Sequence, residues 1–318
     1  MSKCGVNLIR KKIDTINFLL KISTPLKNRI PFYLTKKIDG LLKLLKEQYV
    51  FNVIKLLDLK TGVTIPLESK RHDIQAEHII WTAWLQGREK LPPLISKCVD
   101  TFSKIPNKKT IIIDLYNYSD YIHIPAAIVE KFNSGKISYA AFSEIIRLEL
   151  LVEYGGLWLD ATIFIDRDIS YLLKDKRYVC LRASSDITNG NLMGVFPVYF
   201  LYSNGHSEGL KIIRNLLRSY WLSFDVQIDY FLVDYIFKYV YLSNDSFKND
   251  TDIIPLLGIN RFLLNDIMSK TYNEVDSLKL KDNQVPVYKL SNKLKYKLLD
   301  EKGNVTFFSK IMNGEYLY

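Results

Sequence analysis

The 318-residue sequence has few of the residues that build disulfide frameworks or histidine metal sites. Its three cysteines, Cys4, Cys98 and Cys180, are far apart and odd in number, a pattern typical of neither a disulfide framework nor a zinc site. Among its four histidines, no two are spaced four residues apart as in helical metal-binding motifs. We therefore predict a reducing compartment and no histidine metal centre.

Long apolar runs are also missing. No run reaches the ~18 residues that a membrane-spanning helix needs, and the basic start MSKCGVNLIRKKID lacks the apolar core of a secretory signal. We expect a protein that acts in the cytoplasm. Neither a phosphate-binding G-x-x-x-x-G-K-[ST] nor a G-x-G-x-x-G after a strand is present, so those nucleotide-binding classes have no support.

What is present is a globular composition with an uneven charge. Hydrophobic residues make up 48% and charged residues 25%, which allows a sizeable core. Residues 1–60 hold 13 Lys and Arg against 4 Asp and Glu, so nine of the ten net positive charges lie there. This segment could face anionic lipid or nucleic acid, or it could be an ordinary solvated helical face.

The segment IDGLLKLLKEQYVFNVIKLLDL (38–59) is amphipathic. It could lie on a membrane surface or pack on the next domain. The polar stretch 61–73 predicts a boundary between a basic helical N-terminal segment, 1–72, and a second domain, 73–318. The apolar residues at helical spacing in segment 38–59 are Leu41, Leu44, Leu45, Val50, Ile54 and Leu57.

Strands and helices alternate in the second domain. HIIWTAWLQG (78–87), KTIIIDLYN (109–117) and LWLDATIFI (157–165) read as strands, with a helix over SYAAFSEIIRLELLVEYGG between the last two. Further helices are predicted over 209–221 and 228–242, and the basic tail reads as strand. This order predicts an α/β fold with a parallel or mixed sheet.

A single carboxylate lies in the apolar run of EYGGLWLDATIF (153–164). Gly155 and Gly156 predict a helix end with a left-handed residue, and strand alternation then places Asp160 and Thr162 on one face. A lone buried acid is costly unless it is paired. Asp160 could contact sugar hydroxyls, a ribose or a metal, or it could be an internal acid bonded to local backbone or to Arg147.

Around this stretch, ten residues at fixed spacing form a central block: Ala140, Ser143, Glu144, Arg147, Leu151, Tyr154, Gly155, Gly156, Trp158 and Asp160. This block resembles the capsular polysaccharide synthesis family of bacterial glycosyltransferases, which is related to fungal outer-chain mannosyltransferases and to sugar-transferring toxins. The opening strand, the block DYFLVDY (229–235) and the block YKLSNK (288–293) are also similar, and the resemblance covers about residues 76 to 295.

The resemblance implies a GT-A type nucleotide-sugar-binding sandwich. The donor would be a nucleotide-diphosphate sugar, with UDP favoured, the acceptor a lipid-linked capsular or exopolysaccharide repeat unit, and the anomeric configuration retained. Trp81 would lie near the nucleotide base of the donor, and Glu144 and Arg147 would contact the donor sugar or ribose. Gly155 and Gly156 would help to form the donor site.

Asp160 would be the first acid of the family's D-x-D pair, but Thr162 replaces the second. Because a hydroxyl binds hard cations less well than a carboxylate, dependence on Mn²⁺ or Mg²⁺ is open. Either Asp160 holds the metal with phosphate and water, or protein cations replace it. Lys289 and Lys293 could then neutralise the leaving diphosphate.

For the acceptor side, Asp229 is the predicted catalytic acid, although it could instead be a helix-start acid that interacts with the helix dipole. Asp234 falls on a different helical face. An alternative to an enzyme is a degenerate scaffold that binds nucleotide or glycan without turnover. A nucleic-acid partner is not expected, because the positive charge precedes residue 60 and no recognition motif is present.

Overall fold

The computed structural model describes residues 3–26, 32–59, 74–186, 194–315 and 317. The predicted boundary stretch 61–73 lies outside these described residues. The helices are α1 (Lys3–Leu26), α2 (Phe32–Asp58), α3 (Pro93–Asp100), α4 (Tyr118–Tyr121), α5 (Ala126–Asn133), α6 (Tyr139–Glu153), α7 (Glu208–Ser223), α8 (Leu232–Ser243), α9 (Asp245–Asp252), α10 (Leu263–Ile267), α11 (Glu274–Lys281) and α12 (Phe307–Asn313). The strands are β1 (Ile79–Ala83), β2 (Lys109–Ile113), β3 (Gly156–Leu159), β4 (Ile163–Ile165), β5 (Tyr178–Cys180), β6 (Phe200–Ser203) and β7 (Val287–Lys289).

A mixed five-stranded sheet forms the centre of the fold, with strand order β2-β1-β3-β6-β5. Strand β1 is parallel to β2 and β3, whereas β6 is antiparallel to β3 and β5. Every residue of β3 is buried, because helices cover the sheet and exclude water from its apolar side chains. The predicted α/β class with a mixed sheet is confirmed, and it is consistent with a GT-A type sandwich.

The N-terminal segment is helical, as predicted. The C-terminal half of α2 packs on α7 and α8, and Val50, Val53, Ile54 and Leu57 are buried in the largest apolar core. The N-terminal half of α2 differs, because Leu41 and its apolar neighbours are exposed. One half of the amphipathic helix therefore packs on the rest of the protein, which was one of the two predicted alternatives. The other half leaves apolar side chains exposed.

The predicted third strand, 157–165, is wrong as a single element. It consists of β3 and β4, which belong to different sheets, and the chain turns between them with Ile163 N donating to Asp160 O at 2.9 Å. Strand β4 pairs with β7, so that Ile163 lies opposite Lys289. The turn places the Asp160 side chain just beyond the carboxyl end of β3.

Two further local predictions can be compared with the structure. Helix α6 ends at Glu153, and Gly155 and Gly156 have φ values of 72° and 98°, which confirms the left-handed bend. The basic tail is only partly strand, because β7 is followed by irregular chain and then by helix α12. Propensity had suggested a strand there, but Phe307 and Ile311 pack into a small core with α3 instead.

Candidate functional site

A cavity of about 550 Å³ opens at the carboxyl ends of β1 and β3. In open α/β sheets, this edge is where ligands bind. The cavity brings together polar residues from segments far apart in the chain. Its lining consists of Ala83, Trp84, Ala140, Ser143, Glu144, Arg147, Trp158, Asp160, Ala161, Thr162, Gly194, Pro197, Val198, Tyr199, Tyr230, Phe231, Asp234, Arg261, Phe262, Lys289, Asn292 and Lys293.

Asp160 is the centre of a hydrogen-bonded cluster at the base of this cavity. Its Oδ1 accepts hydrogen bonds from Arg147 Nη2 at 2.9 Å and from Trp158 Nε1 at 3.0 Å. Its Oδ2 accepts from Lys289 Nζ at 3.0 Å. The Asp160 side chain is still 28% exposed. It is therefore paired internally, including with Arg147, and also open to a ligand in the cavity.

The pKa of the Asp160 carboxyl reflects these partners. Burial by itself would raise this pKa, but the positive charges of Lys289 and Arg147 and the hydrogen bonds outweigh burial and lower it to about 2. Asp160 is therefore ionised at any pH at which a cell functions. Its charge holds the two cations at the base of the cavity.

Arg147 reaches the cavity from helix α6 and retains unused donors. Its guanidinium lies over the Trp158 ring, 4.9 Å from the centroid, and only 5% of the residue is exposed. Nε and Nη1 have no hydrogen-bond partner among the described residues. Leaving these two nitrogen atoms of a buried guanidinium without partners is costly.

Lys289 approaches Asp160 from strand β7. Its Nζ donates to Asp160 Oδ2 and to Thr162 Oγ1, and it lies 5.1 Å from the centroid of the Tyr199 ring. The predicted lysine is thus brought to the predicted acid. Lys293, four residues later, is an exposed residue of the cavity lining.

Two further acids line the cavity, and one of them was not predicted as a site residue. Glu144 was predicted, and burial raises its pKa to about 8, with Asp234 and Asp160 adding to the effect. Asp234 was set aside as lying on a different helical face from Asp229. Burial raises the pKa of Asp234 to about 7. The block DYFLVDY contains this acid, but nothing in the sequence shows which of its two acids faces the cavity.

Asp229 is placed outside the cavity lining. Its Oδ2 pairs with Lys46 Nζ of α2 at 3.2 Å, and its Oδ1 accepts from the backbone N–H of Phe231 at 2.9 Å. This environment matches the alternative interpretation of a helix-start acid just before α8. The adjacent Tyr230 and Phe231 line the cavity instead.

Trp81 is also placed away from the cavity. It is completely buried, and its Nε1 donates to Gly155 O at 2.8 Å. Strand alternation explains the difference, since Trp84, just past the end of β1, lines the cavity. In this structure Trp81 holds the glycine bend against β1, and Gly155 and Gly156 shape the site without lining it.

The D-x-D resemblance raises the question of whether these residues fit a divalent cation. Such ions take six or more oxygen ligands or retain several waters. Both oxygens of Asp160 already accept hydrogen bonds from positively charged side chains, and Lys289 also donates to the Thr162 hydroxyl. No group of three or more His, Cys, Asp or Glu side chains that could hold a metal occurs in the described part of the chain. The residues do not fit a metal site.

Comparison with known proteins places this chain in a family. A family model described as capsular polysaccharide synthesis protein matches residues 35–311, a range that begins inside α2. Neither the search of curated proteins nor that of solved structures found a match. None of the helices in the described ranges combines the length and apolar character that crossing a bilayer requires. Because the family model covers most of the sequence, the chain belongs to the capsular polysaccharide synthesis protein family, with a role in capsule biosynthesis.

Proposed function

We propose that this protein is a glycosyltransferase that moves a sugar from a nucleotide-diphosphate sugar, with UDP favoured, to a growing lipid-linked saccharide of a capsule or exopolysaccharide. The observation that carries the proposal is the Asp160–Arg147–Lys289 cluster, which opens into a 550 Å³ cavity at the ligand-binding edge of the sheet. The cavity volume lies within the range typical of small-molecule sites.

The reaction has a defined bond balance. The bond between the anomeric carbon and the β-phosphate oxygen breaks, and its electron pair leaves with the nucleoside diphosphate. The acceptor oxygen forms the new bond to the anomeric carbon and loses its proton. Lys289, Lys293 and Arg261 line the cavity and would stabilise the charge that develops on the diphosphate. Retention of configuration is expected from the family resemblance.

Donor positioning falls to Arg147 and Glu144. Arg147, fixed by Asp160 and the Trp158 ring, would present its positive charge to the donor sugar or ribose. Glu144, whose pKa is raised to about 8, is protonated at neutral pH and can donate a hydrogen bond to a hydroxyl. Together they would orient the donor before the acceptor arrives, which lowers the entropic part of the barrier.

The decisive test is turnover by the purified protein. A panel of UDP- and GDP-sugars is incubated with lipid-linked saccharides, and products are identified by mass spectrometry. A mass increase of one sugar residue on the acceptor supports the proposal.

One observation favours a second candidate, a scaffold that binds without turnover: both oxygens of Asp160 are engaged by protein cations. Calorimetric binding of UDP with no product across the panel would favour that scaffold.

We expect Asp234 to accept the proton of the acceptor hydroxyl. Only its ionised form can do so, and because its pKa is raised to about 7, transfer should fall about tenfold per pH unit below neutrality. Asp234→Asn should lower kcat by about 10²–10⁴-fold and abolish this pH dependence. The pH–rate profile of kcat from pH 5 to pH 8 checks it.

Asp229→Asn is the comparison that separates the two acids of DYFLVDY. Because the Asp229 carboxylate faces Lys46, we expect this variant to retain most of kcat. Its rate should still fall below neutral pH, as in the wild type. If Asp229→Asn abolishes transfer while Asp234→Asn leaves the profile unchanged, the assignment of Asp234 is wrong and Asp229 is the catalytic acid.

We further propose that α1 and α2 bind an anionic lipid surface, where a lipid-linked acceptor would reside. Their core-facing side, which includes Ile13 and Val53, is buried, yet large apolar side chains remain exposed elsewhere on both helices. Exposed lysines interleave with them, including Lys11, Lys12 and Lys43. A surface with both features binds anionic membranes, because its apolar side chains insert among the lipids and its lysines are attracted to the negatively charged headgroups. The exposed apolar residues are Leu8, Phe18, Leu19, Ile38, Leu41, Leu44 and Leu45.

Vesicle sedimentation tests this surface. The protein should pellet with phosphatidylglycerol-containing vesicles, less so at high salt, and not with pure phosphatidylcholine. Replacing Phe18 and Leu41 by serine should weaken binding by about tenfold or more, since each side chain contributes on the order of 1.5–3 kcal/mol when buried. Leu278→Ser, at a similarly exposed residue of α11, is the matched control. Lipid attachment would be contradicted if the double variant bound the vesicles as well as the wild type. It would also be contradicted if light scattering showed a wild-type dimer that the double variant does not form.

A further inference from the structure

We propose that the ammonium group of Lys289 takes the place of the divalent cation in this site, so that the protein binds a nucleoside diphosphate and transfers its sugar without a metal. This inference rests on the proposed function, since it concerns how the same cavity holds the donor. It resolves the choice that the missing second acid of the D-x-D pair leaves open.

The first argument is the position of the Lys289 amine. Its Nζ donates to Asp160 Oδ2 at 3.0 Å and also to Thr162 Oγ1. These are the two side chains that stand at the positions of the D-x-D pair. A metal bound between them would have to displace the ammonium group, and the two positive charges would repel each other at that distance.

The second argument is that Lys289 is held in place. Its backbone is part of β7, which pairs with β4 at Ile163, and its N–H donates to Arg261 O at 2.7 Å. Its side chain lies against the Tyr199 ring and is only 22% exposed. A lysine fixed by a strand and an aromatic face loses little freedom on binding phosphate, unlike a solvated surface lysine.

The third argument is the charge of the cluster. Asp160 neutralises one of its two cationic partners, Arg147 and Lys289, so the cluster retains one positive charge. Arg261 and Lys293 add two more along the cavity lining, and the ionised form of Asp234 offsets one of them. A diphosphate carries the negative charge that this lining can neutralise, and lysine is an established phosphate ligand that acts as a point charge.

The first experiment measures transfer and UDP binding in EDTA and then with added Mn²⁺. We expect wild-type turnover and the calorimetric affinity for UDP to change by less than about twofold between the two conditions. Lys289→Met should lower kcat by about 10²–10³-fold, the usual loss when one group that stabilises developing charge is removed. Lys289→Arg keeps the charge and should retain more activity than Lys289→Met.

The second experiment rebuilds a metal site. In the double variant Lys289→Ala, Thr162→Asp, the two carboxylates would face each other without the ammonium group, and hard cations prefer such oxygens. We expect its UDP affinity and its turnover to become dependent on Mn²⁺. Lys293→Ala, which removes an exposed lysine of the same cavity, should leave the protein insensitive to EDTA and is the control for a general loss of charge.

The outcomes separate this inference from the proposed function. Wild-type turnover that EDTA abolishes and Mn²⁺ restores would overturn the inference and leave the transferase assignment intact. If no donor is turned over, UDP binding decides: binding in EDTA that Lys289→Met loses supports the ammonium group as the phosphate ligand. Binding of UDP that requires Mn²⁺ in the wild type overturns it. Circular dichroism of each variant verifies that the fold is retained.

Discussion

Asp160→Asn is expected to reduce sugar transfer by about 10²–10³-fold, because the substitution removes the charge that organises the cluster. An amide can accept at one atom only, so it cannot serve Arg147 and Lys289 together. Its NH₂ group would instead face one of those donors. One of the two cations would lose its charge-assisted hydrogen bond, worth about 1.5–3 kcal/mol, and the other would face a neutral acceptor, so the pair would no longer be held where the diphosphate binds.

The measurement is kcat and KM with donor varied at saturating acceptor. We expect kcat to fall more than KM rises, because the displaced cations stabilise charge that develops during bond breaking. Asp168→Asn is the matched control, since this exposed acid accepts hydrogen bonds from its neighbour Ser170 and is not part of the cavity lining. An Asp160→Asn protein with full activity would show that this carboxylate is internal scaffolding.

The second large effect concerns stability. Glu149→Ala is expected to lower the free energy of unfolding by about 3–5 kcal/mol, the usual cost of leaving buried charges unpaired. Glu149 is 1% exposed and accepts from Arg214 Nη1 at 3.1 Å and from Arg218 Nη2 at 2.6 Å. Both arginines lie on α7, and the cluster joins that helix to α6. Removing the acid leaves two buried guanidinium groups beside each other.

Urea denaturation followed by circular dichroism measures this loss as a lower midpoint. Glu130→Ala, at an exposed position of α5, should change the free energy of unfolding by no more than about 0.5 kcal/mol. Replacing Glu149, Arg214 and Arg218 together by apolar residues of similar volume should recover much of the loss, because no buried charge then remains. A Glu149→Ala variant as stable as the wild type would show that the two arginines reach water.

Both effects involve helix α6, whose sequence already carried most of the local information. Its apolar spacing predicted a helix, and the two glycines predicted its left-handed end. The alternation of strands and helices predicted an α/β fold with a mixed sheet. Each of these is decided by the steric preferences of neighbouring residues and by burial at a fixed period, so each can be read from short stretches.

The site depends on contacts that no local period encodes. Lys289 is separated from Asp160 by 129 positions, and its partner strand β4 was hidden inside a run that read as one strand. Sequence reasoning proposed Lys289 through resemblance, but it had no basis for the hydrogen bonds to Asp160 and Thr162. Register between two short strands is set by their shared packing and not by either strand alone.

The directions in which side chains point also depend partly on local sequence and partly on tertiary packing. The sequence predicted that Asp229 and Asp234 point in different directions, and the resemblance implied that Trp81 lies near the site. Tertiary packing decided which direction is the cavity, because α2 covers Asp229 through Lys46 and leaves Asp234 on the cavity side. The sequence by itself determined the elements, the glycine bend and the identity of the charged groups. Only the tertiary structure decided which of those charges meet, since pairing depends on the distances that long-range packing creates.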